Sequence, residues 1–510
     1  MSIESRSNRV RLSASSWILA ACMVGVALVW SIQYPFWPNR ESLLDQGKLV
    51  DYSWLAFTTW AIGLAMWLWV MLTLLQRFRG HTFSEYRVLI SLPTAAIYAS
   101  FTAMYPTNAI DVYIYAARSR LLTYYGKNPN AVQPIVYWDS DPYMHFASRE
   151  WADNLSPYGP LWNQLAAPIT WIGGESIGAA VIGFKLMSVV SAIAIAWFIY
   201  AIVCECYPEW ALPAALFWLW NPLVLWDGVG NAHNDVTLML PVIAALWAWQ
   251  KRQDHWVIPL LLASVLIKYV TLILIPVAVV AVWRRNPDYR ERVAGILWSL
   301  AGTLFLIAVS MYPFYNFGAL VTSAREQGAR VAASPAWAVM ASLQEWSIAD
   351  ITAETTINVA YGLAAIAVAG WMVACWRRPE RLPRAAFEVL FIFMLIASTN
   401  QRGWYVIWLV PLAAILIPAT PWRRALLWSV TSMVGHTCSI WLWYAWDFEA
   451  WGYFWYVLTT VTLVYLPVIA LSIWELISRF QSWNDGNPGR QEIERDTSRQ
   501  PLHSAATKST

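Results

Sequence analysis

Ionisable residues inside apolar stretches are the first candidates for chemistry in this sequence. Lys185 and Lys268 both lie within long apolar segments. A charged group at membrane depth is energetically costly and usually serves a function. Either lysine could bind a phosphate, pair with a nearby acid, or extend its ammonium group to an interface. These positions therefore predict a phosphate site or, alternatively, a structural ion pair.

Two further groups of polar residues stand at the start of predicted helices. His233-Asn234-Asp235 precedes an apolar segment, and an imidazole, an amide and a carboxylate together suit phosphate or sugar hydroxyls, because a helix N-terminus attracts anions. Asp111 begins a second predicted helix, where a carboxylate within hydrogen-bonding reach of a hydroxyl can act as a general base. For both groups the alternative is helix capping, which favours Asn and Asp regardless of function.

The composition indicates the surroundings of these residues. Hydrophobic residues make up 58% of the 510 residues and charged residues 13%, about half of the ~25% of an ordinary globular protein. The 34 Lys and Arg against 31 Asp and Glu give a net charge of +3, which is too balanced to suggest a nucleic-acid partner. The 36 Trp and 24 Tyr suit membrane interfaces. The five scattered cysteines predict neither a disulfide framework nor a zinc site.

The apolar segments predict an all-α polytopic membrane protein. Basic residues, which mark cytoplasmic loops, flank 256–283 at both ends, so this segment must enter the membrane and return, turning near Lys268. Likewise, 211–250 is predicted as a hairpin whose tip, Asp227 to Asp235, faces outward. Together the segments predict about fourteen transmembrane helices with both termini cytoplasmic. The continuous spans are predicted at 17–36, 54–75, 88–105, 176–203, 293–313, 356–376, 385–399, 404–420, 424–443 and 453–478.

This pattern divides the chain into three parts. Residues 1–16 are predicted as a cytoplasmic N-terminus, 17–480 as the transmembrane domain, and 481–510 as a disordered cytoplasmic tail, because that last segment is polar and contains Gly, Pro, Ser and Thr.

The outer face carries two long loops, 106–175 and 314–355. A transporter works between its helices at mid-membrane, so a long first outer loop suggests that a site is built there. The spacing of Tyr113, Ala117 and Leu121 predicts a surface helix lying in the interface and starting at Asp111. Two prolines around Tyr158 then predict a rigid turn, followed by a short apolar helix to about residue 171.

The order of several motifs resembles that of one known family. The resemblance covers roughly residues 50–475 and is to the C superfamily of membrane glycosyltransferases (GT-C), in particular the bacterial polyprenyl-phosphomannose-dependent α-1,6-mannosyltransferases. The motifs that carry it are the Asp111 helix with Arg118 and Asn128-Pro129, the turn Tyr158-Gly159-Pro160-Leu161, Asn221-Pro222-Leu223, Gly230-Asn231-Ala232-His233-Asn234-Asp235, and Gln401-Arg402-Gly403-Trp404-Tyr405 before Trp408-Leu409-Val410-Pro411-Leu412.

The resemblance implies the GT-C fold and an inverting, metal-independent transfer of a hexose, mannose in this family, without a cofactor. The donor would be a polyprenyl-phosphate sugar in the bilayer, and the acceptor a lipid-linked or glycan hydroxyl at the outer face of the cell membrane. By the same resemblance Asp111 is the catalytic base. Together with the lysines at membrane depth, this gives the following predicted donor- or acceptor-binding residues: Tyr115, Arg118, Tyr158, Lys185, His233, Asn234, Asp235, Lys268, Arg402, Trp404 and Tyr405.

Two alternatives remain beside this interpretation. One is a multi-pass transporter or lipid flippase, although alternating access would place polar groups within reach of both sides. The other keeps the scaffold and replaces mannose with glucose or arabinose. Asp139-Ser140-Asp141 has the Asp-x-Asp pattern that holds metals in nucleotide-sugar enzymes, but a single lipid phosphate needs no such clamp. No motif for ATP, NAD or zinc chemistry occurs.

Overall fold

The computed structural model describes residues 3–286, 288–328, 333–445 and 452–484. These residues form helices joined by turns, and one isolated bridge between Pro35 and Met104 is the only β-type pairing described among them. The longer helices are α1 (Ile3–Gln33), α2 (Trp54–Arg77), α3 (Phe83–Ala103), α4 (Asp111–Thr123), α5 (Pro160–Gly173), α6 (Ile177–Cys206), α7 (Pro208–Leu219), α8 (Asp235–Gln250), α9 (Val257–Val265), α10 (Ile275–Arg285), α11 (Tyr289–Met311), α12 (Phe317–Gly328), α13 (Pro335–Glu345), α14 (Ala353–Arg377), α15 (Leu382–Ile392), α16 (Leu409–Ala414), α17 (Pro421–Ala445) and α18 (Tyr453–Asn484).

Six of the described helices are long and apolar enough to cross a membrane. Their surfaces agree with that environment, since large apolar side chains point outward along them: on α11, Trp298 is 71% and Phe305 70% exposed. Contiguous apolar surface of this kind is rare on soluble proteins. The six segments are Ala14–Gln33, Trp54–Arg77, Ile177–Cys206, Tyr289–Met311, Ala353–Arg377 and Tyr453–Ser478.

Of the other predicted spans, 88–105 and 424–443 fall largely within the long helices α3 and α17, whereas 385–399 and 404–420 correspond to shorter pieces. The segment predicted as one helix over 404–420 is wrong as a single helix: a 3-10 turn at Gly403–Trp408 leads into the short α16, and turns follow. The segment 385–399 ends in a π-helical turn, Phe393–Ala397. The total of about fourteen transmembrane helices remains a prediction.

Helices run across both predicted boundaries of the transmembrane domain, and these boundaries remain a prediction. Residues 3–16, predicted as a separate N-terminal segment, continue α1, and α18 runs on to Asn484. Most of the predicted tail, from residue 485 to residue 510, lies outside the described residues.

The segment 256–283 is broken at the predicted place. Helix α9 ends at Val265, Lys268 is extended (φ −152°, ψ 128°), and a 3-10 turn at Tyr269–Leu274 precedes α10. A break inside an apolar region frees backbone carbonyls, which need new partners. The turn of the first outer loop supplies them: the amide of Gly159 donates to the carbonyl of Ile267 and that of Leu161 to the carbonyl of Leu266, each at 2.9 Å.

Gly159 is required at this junction. A Cβ built on it would lie 2.1 Å from the carbonyl oxygen of Leu266, which is backbone and cannot rotate aside. The glycine therefore lets the outer loop approach the broken segment closely enough to form both hydrogen bonds.

The first helix of the outer loop differs from the prediction. Every residue of α4 from Val112 to Leu121 is buried, so the expectation of a surface helix lying in the interface is wrong. Tyr113, Ala117 and Leu121 are fully buried, as the spacing suggested, but the opposite face of the helix is covered too. Helix α5 fits the interface better, because Trp171 and Ile172 near its end are 75% and 77% exposed.

We expect Gly159→Ala to destabilise the protein by about 1–3 kcal/mol, because the added methyl group overpacks a backbone contact. It should also reduce activity, since the turn lies beside the candidate site. Thermal unfolding in detergent measures the first effect. Gly25→Ala is the control, because nothing lies within 4 Å of a Cβ at that position in α1. Equal unfolding temperatures for the two variants would contradict this account of the junction.

Candidate active site

The first outer loop and the tip of the 211–250 hairpin are joined by a hydrogen-bond network. Asn108 Nδ2 donates to Asp227 Oδ1 at 2.8 Å, and Asn231 Nδ2 donates to the same oxygen at 2.6 Å. The backbone amide of Asn108 donates to Asn231 Oδ1 at 3.3 Å, and the indole N–H of Trp226 donates to Asn108 Oδ1 at 3.2 Å. The start of α4 is thereby fixed beside the hairpin tip.

The hairpin tip places His233 next to Asp111. A π-helical turn at Val224–Gly230 ends the first arm, and such turns occur frequently at functional sites. Ala232 then takes a left-handed conformation (φ +55°), which is strained for a residue with a side chain. His233 Nδ1 lies 3.6 Å from Asp111 Oδ2, and its ring stacks on Trp404 with centroids 4.2 Å apart.

Neither Asp111 nor Asn234 acts as a helix cap. Ile110 occupies the N-cap position of α4, and Asn234 occupies that of α8. At neither position does the side chain form a capping hydrogen bond. The amide oxygen and nitrogen of Asn234 are buried without hydrogen-bond partners. The alternative explanation of these residues as caps therefore fails, and their side chains remain available to a ligand.

Asp235 and Lys268 form a buried ion pair. Lys268 Nζ lies 2.8 Å from Asp235 Oδ1, and the indole of Trp408 donates to the same oxygen at 2.5 Å. The ammonium lies 4.4 Å from the centroid of the Tyr405 ring, which is stacked on Trp408. A buried charge needs such partners, so this pair ties the tip of one hairpin to the break in the next.

The electrostatics of the site act on Asp111. Burial alone would raise the pKa of this carboxyl. The neighbouring His233 and the cations Lys268 and Arg402 outweigh burial and hold the pKa of Asp111 below its usual range. Its side chain keeps 24% of its surface exposed. Asp111 is therefore ionised at neutral pH and accessible to a ligand.

Aromatic rings and a buried arginine form another wall of the site. Tyr115 contacts Tyr158 and Trp162, with ring centroids 5.2 and 5.0 Å apart. Arg118, 5% exposed, lies within electrostatic reach of both tyrosines and of Asp111. Its Nη2 is 3.5 Å from the Asn154 carbonyl, and its Nε has no hydrogen-bond partner. Among the described residues no carboxylate lies within ion-pair distance of this guanidinium, so an anionic ligand would stabilise it.

Lys185 is placed differently from the other predicted residues. Its ammonium is fully buried and donates to the carbonyls of Phe101 (3.3 Å), Thr102 (3.2 Å) and Met104. Phe101 and Thr102 belong to the last turn of α3 and Met104 follows its last residue, where backbone carbonyls need partners beyond the regular helix bonds. The contacts of Lys185 are thus those of a cationic helix C-cap, and we leave it out of the proposed ligand contacts.

The Asp139-Ser140-Asp141 pattern, which the sequence analysis discounts as a metal site, has a structural role. Asp141 Oδ2 lies 2.6 Å from Arg120 Nε and accepts a hydrogen bond from Tyr125 at 3.0 Å, while Asp139 is exposed. No group of three or more possible metal-ligating side chains occurs among the residues searched, which are those that the structure describes.

Four residues around the site were not assigned from the sequence: Asn108, Trp408, Ser432 and His436. Trp408 was noted only as part of a motif and Asn108 only as a residue at the start of the first long loop, and the long-range partners of both have no local signal. His436 carried a usable signal, since it is an ionisable residue inside a predicted span. It lies within electrostatic reach of Arg402 and His233.

Comparisons with known proteins identify the family of the chain. Residues 12–284, more than half of the chain, match the family model described as "Alpha-(1->6)-mannopyranosyltransferase, N-terminal domain". This range contains Asp111, His233-Asn234-Asp235 and Lys268. No solved structure matches the chain.

Named relatives extend the match towards the C-terminus. Alpha-(1->6)-mannopyranosyltransferase A of Corynebacterium glutamicum is 22% identical over 368 residues, which cover 65% of this chain and 71% of that protein. A probable alpha-(1->6)-mannopyranosyltransferase of Mycolicibacterium smegmatis is 24% identical over 65% of both chains. Alpha-(1->6)-mannopyranosyltransferase B of C. glutamicum is 29% identical over 25% of this chain and 21% of its own. The chain belongs to the alpha-(1->6)-mannopyranosyltransferase family and is a membrane glycosyltransferase.

Proposed function

We propose that this protein transfers mannose from polyprenyl-phosphate mannose to a hydroxyl of a lipid-linked or glycan acceptor at the outer face of the membrane. The contact of Asp111 with His233, within reach of Lys268 and Arg402, is the observation that carries the proposal. It brings together a carboxylate for the acceptor proton and cations for the departing phosphate.

The reaction is a single displacement. The acceptor oxygen forms a bond to C1 of mannose while the bond from C1 to the phosphate oxygen breaks, and its electron pair leaves with the polyprenyl phosphate. Asp111 accepts the hydroxyl proton. Attack from the side opposite the phosphate inverts the anomeric centre, so a β-linked donor gives an α-linked product.

The charges around Asp111 couple base strength to donor binding. Without a donor, the surrounding cations hold the pKa of Asp111 low, and a carboxylate with a low pKa is a weak base. A bound phosphate would offset those cations. The pKa of Asp111 would then rise towards the range in which it accepts a proton most effectively, so the base becomes effective once the donor is in place.

Cations of the protein can stabilise the leaving phosphate in this scheme. Arg118 and Arg402 lack an ion pair with any described carboxylate, whereas Lys268 is paired with Asp235. Lys268 therefore stabilises the phosphate by its positive charge without contacting it, whereas the two arginines are free to contact the phosphate directly. A single phosphate held in this way requires no bridging metal ion.

The sugar and the acceptor need hydroxyl-binding groups and flat apolar surfaces. The buried amide of Asn234 offers a donor and an acceptor without partners. Trp404, Tyr405, Tyr115 and Tyr158 supply aromatic surface around Asp111. These residues are the proposed contacts of the donor and acceptor sugars.

We expect Asp111→Asn to lower kcat by at least about a hundredfold, because the amide cannot accept the proton. Transfer from radiolabelled short-chain polyprenyl-phosphate mannose measures this in membranes or with purified protein. Asp139→Asn is the matched control, since Asp139 is an exposed carboxylate of the same outer loop. Full transfer by the Asp111 variant would show that another group is the base.

We expect transfer by the wild-type protein to be unchanged by EDTA and unchanged by added Mg²⁺ or Mn²⁺. The cations that stabilise the phosphate are side chains in this proposal, so chelation removes nothing from the site. Initial rates with and without chelator test this. Loss of transfer in EDTA, restored by a divalent cation, would overturn the metal-independent mechanism and leave the family assignment intact.

A further inference from the structure

Buried polar atoms without partners are concentrated around Arg402. Among them are Asn400 Oδ1, Gln401 Oε1, Ser432 Oγ and His436 Nε2. Buried polar groups are normally hydrogen-bonded, so a cluster of exceptions calls for an explanation. We call Asn400, Gln401, Arg402, Ser432 and His436 the Arg402 pocket.

The pocket has two sides formed by different elements. Asn400, Gln401 and Arg402 precede the 3-10 turn at Gly403–Trp408. Ser432 and His436 are four residues apart on α17 and therefore share one helix face. Gly403 joins the two sides, because a Cβ at this position would lie 3.6 Å from the Cβ and from the carbonyl oxygen of Ser432.

Hydrogen bonds place this part of α17 on the same side of the molecule as Asp111. Thr437 Oγ1, next to His436, donates to Gln46 Oε1 at 3.1 Å, and Gln46 Nε2 donates to the hydroxyl of Tyr34 at 3.2 Å. The Tyr34 carbonyl in turn accepts from the amide of Tyr105, at 2.7 Å. Tyr105 stands at the start of the first long outer loop.

The electrostatic character of the pocket is basic. His436 lies within electrostatic reach of Arg402 and His233. The acid within that reach, Asp45, is itself paired with Lys48 at 3.2 Å. An anion in the pocket would therefore meet a guanidinium and an imidazole, and Asp111 is the ionised carboxylate within electrostatic reach of the guanidinium.

The chemistry of the atoms suits one class of ligand. Ser432 Oγ, His436 Nε2 and the Arg402 guanidinium can all donate to phosphate oxygens. The side-chain amides of Asn400 and Gln401 can accept from sugar hydroxyls. A phosphate attached to a sugar satisfies both sets at once. Arg118, the other proposed phosphate contact, is surrounded instead by Tyr115 and Tyr158.

We propose that the Arg402 pocket binds the sugar-phosphate headgroup of a polyprenyl-phosphate donor, with Ser432 and His436 as phosphate contacts. The proposal rests on the proposed function and assigns a donor site within it. The Arg402 side chain is exposed, so it is accessible to a headgroup that approaches from the surface. Helix α18, a candidate membrane span, packs beside α17, so a headgroup held here can keep its chain in the bilayer.

Direct binding tests the pocket. The probe is short-chain polyprenyl phosphate, titrated against purified wild-type protein and the variants His436→Ala, His436→Gln and Ser432→Ala. We expect His436→Ala and Ser432→Ala each to weaken binding by about tenfold, the effect of one hydrogen bond to a charged group. His436→Gln, which keeps an N–H near the position of Nε2, should recover most of the affinity.

Matched controls separate this effect from general damage. Ser439→Ala lies on the same helix, but its hydroxyl donates to the carbonyl of His436 at 2.7 Å, so the variant should bind as wild type. His145→Ala removes an imidazole from the exposed surface of the outer loop and should also bind as wild type. Unchanged affinity in both pocket variants would overturn the proposal.

Two further results distinguish this proposal from the proposed function. If wild type binds polyprenyl phosphate through His436 but transfers no mannose, the pocket stands and the function fails. If wild type transfers mannose while His436→Ala and Ser432→Ala keep the donor KM, the function stands and the pocket assignment fails. Displacement of the probe by inorganic phosphate at equal concentration would show a general anion site and overturn the assignment to a lipid headgroup.

Discussion

The arrangement of the site depends on one constraint. Where a helix breaks inside an apolar region, its free backbone groups and any charged side chain need hydrogen-bond or ion-pair partners from other parts of the chain. The interruption between α9 and α10 has partners both for its backbone carbonyls and for its charged side chain. Its carbonyls accept from the turn at Gly159, and Lys268 pairs with Asp235. Because the turn belongs to the first outer loop and Asp235 to the preceding hairpin, satisfying the interruption also assembles three distant segments around Asp111.

The features that could be predicted from the sequence are those with a strong local signal. Basic residues at both ends of 256–283 predicted its reversal near Lys268, and the helix does stop there. Polar residues inside the apolar 211–250 segment predicted an interruption near His233, and the helices do end at Leu219 and begin again at Asp235. The order of the motifs predicted the family, and the comparisons confirm it. In each case the cost of a charge or of a free backbone group in an apolar surrounding restricts the chain to few arrangements.

The features that could not be predicted depend on contacts between distant residues. Helix α4 was predicted to lie on a surface because its apolar spacing suits one face, yet periodicity cannot show whether the opposite face is also covered. The stacking of His233 on Trp404 joins residues far apart in the chain. Lys185 was predicted from its cost in the membrane to be functional, but the same cost is met by the carbonyls that end α3.

The two hydrogen bonds between the outer turn and the interrupted helix also limit how substrates can enter. Lifting the turn would leave two amides and two carbonyls without partners in a nearly dry setting, at about 2 kcal/mol for each bond. The opened form would then be roughly one molecule in a thousand. Any path for a substrate that required the turn to move would depend on this rarely populated form. Under the proposed function, the donor lipid and the released polyprenyl phosphate would therefore enter and leave without displacing this turn.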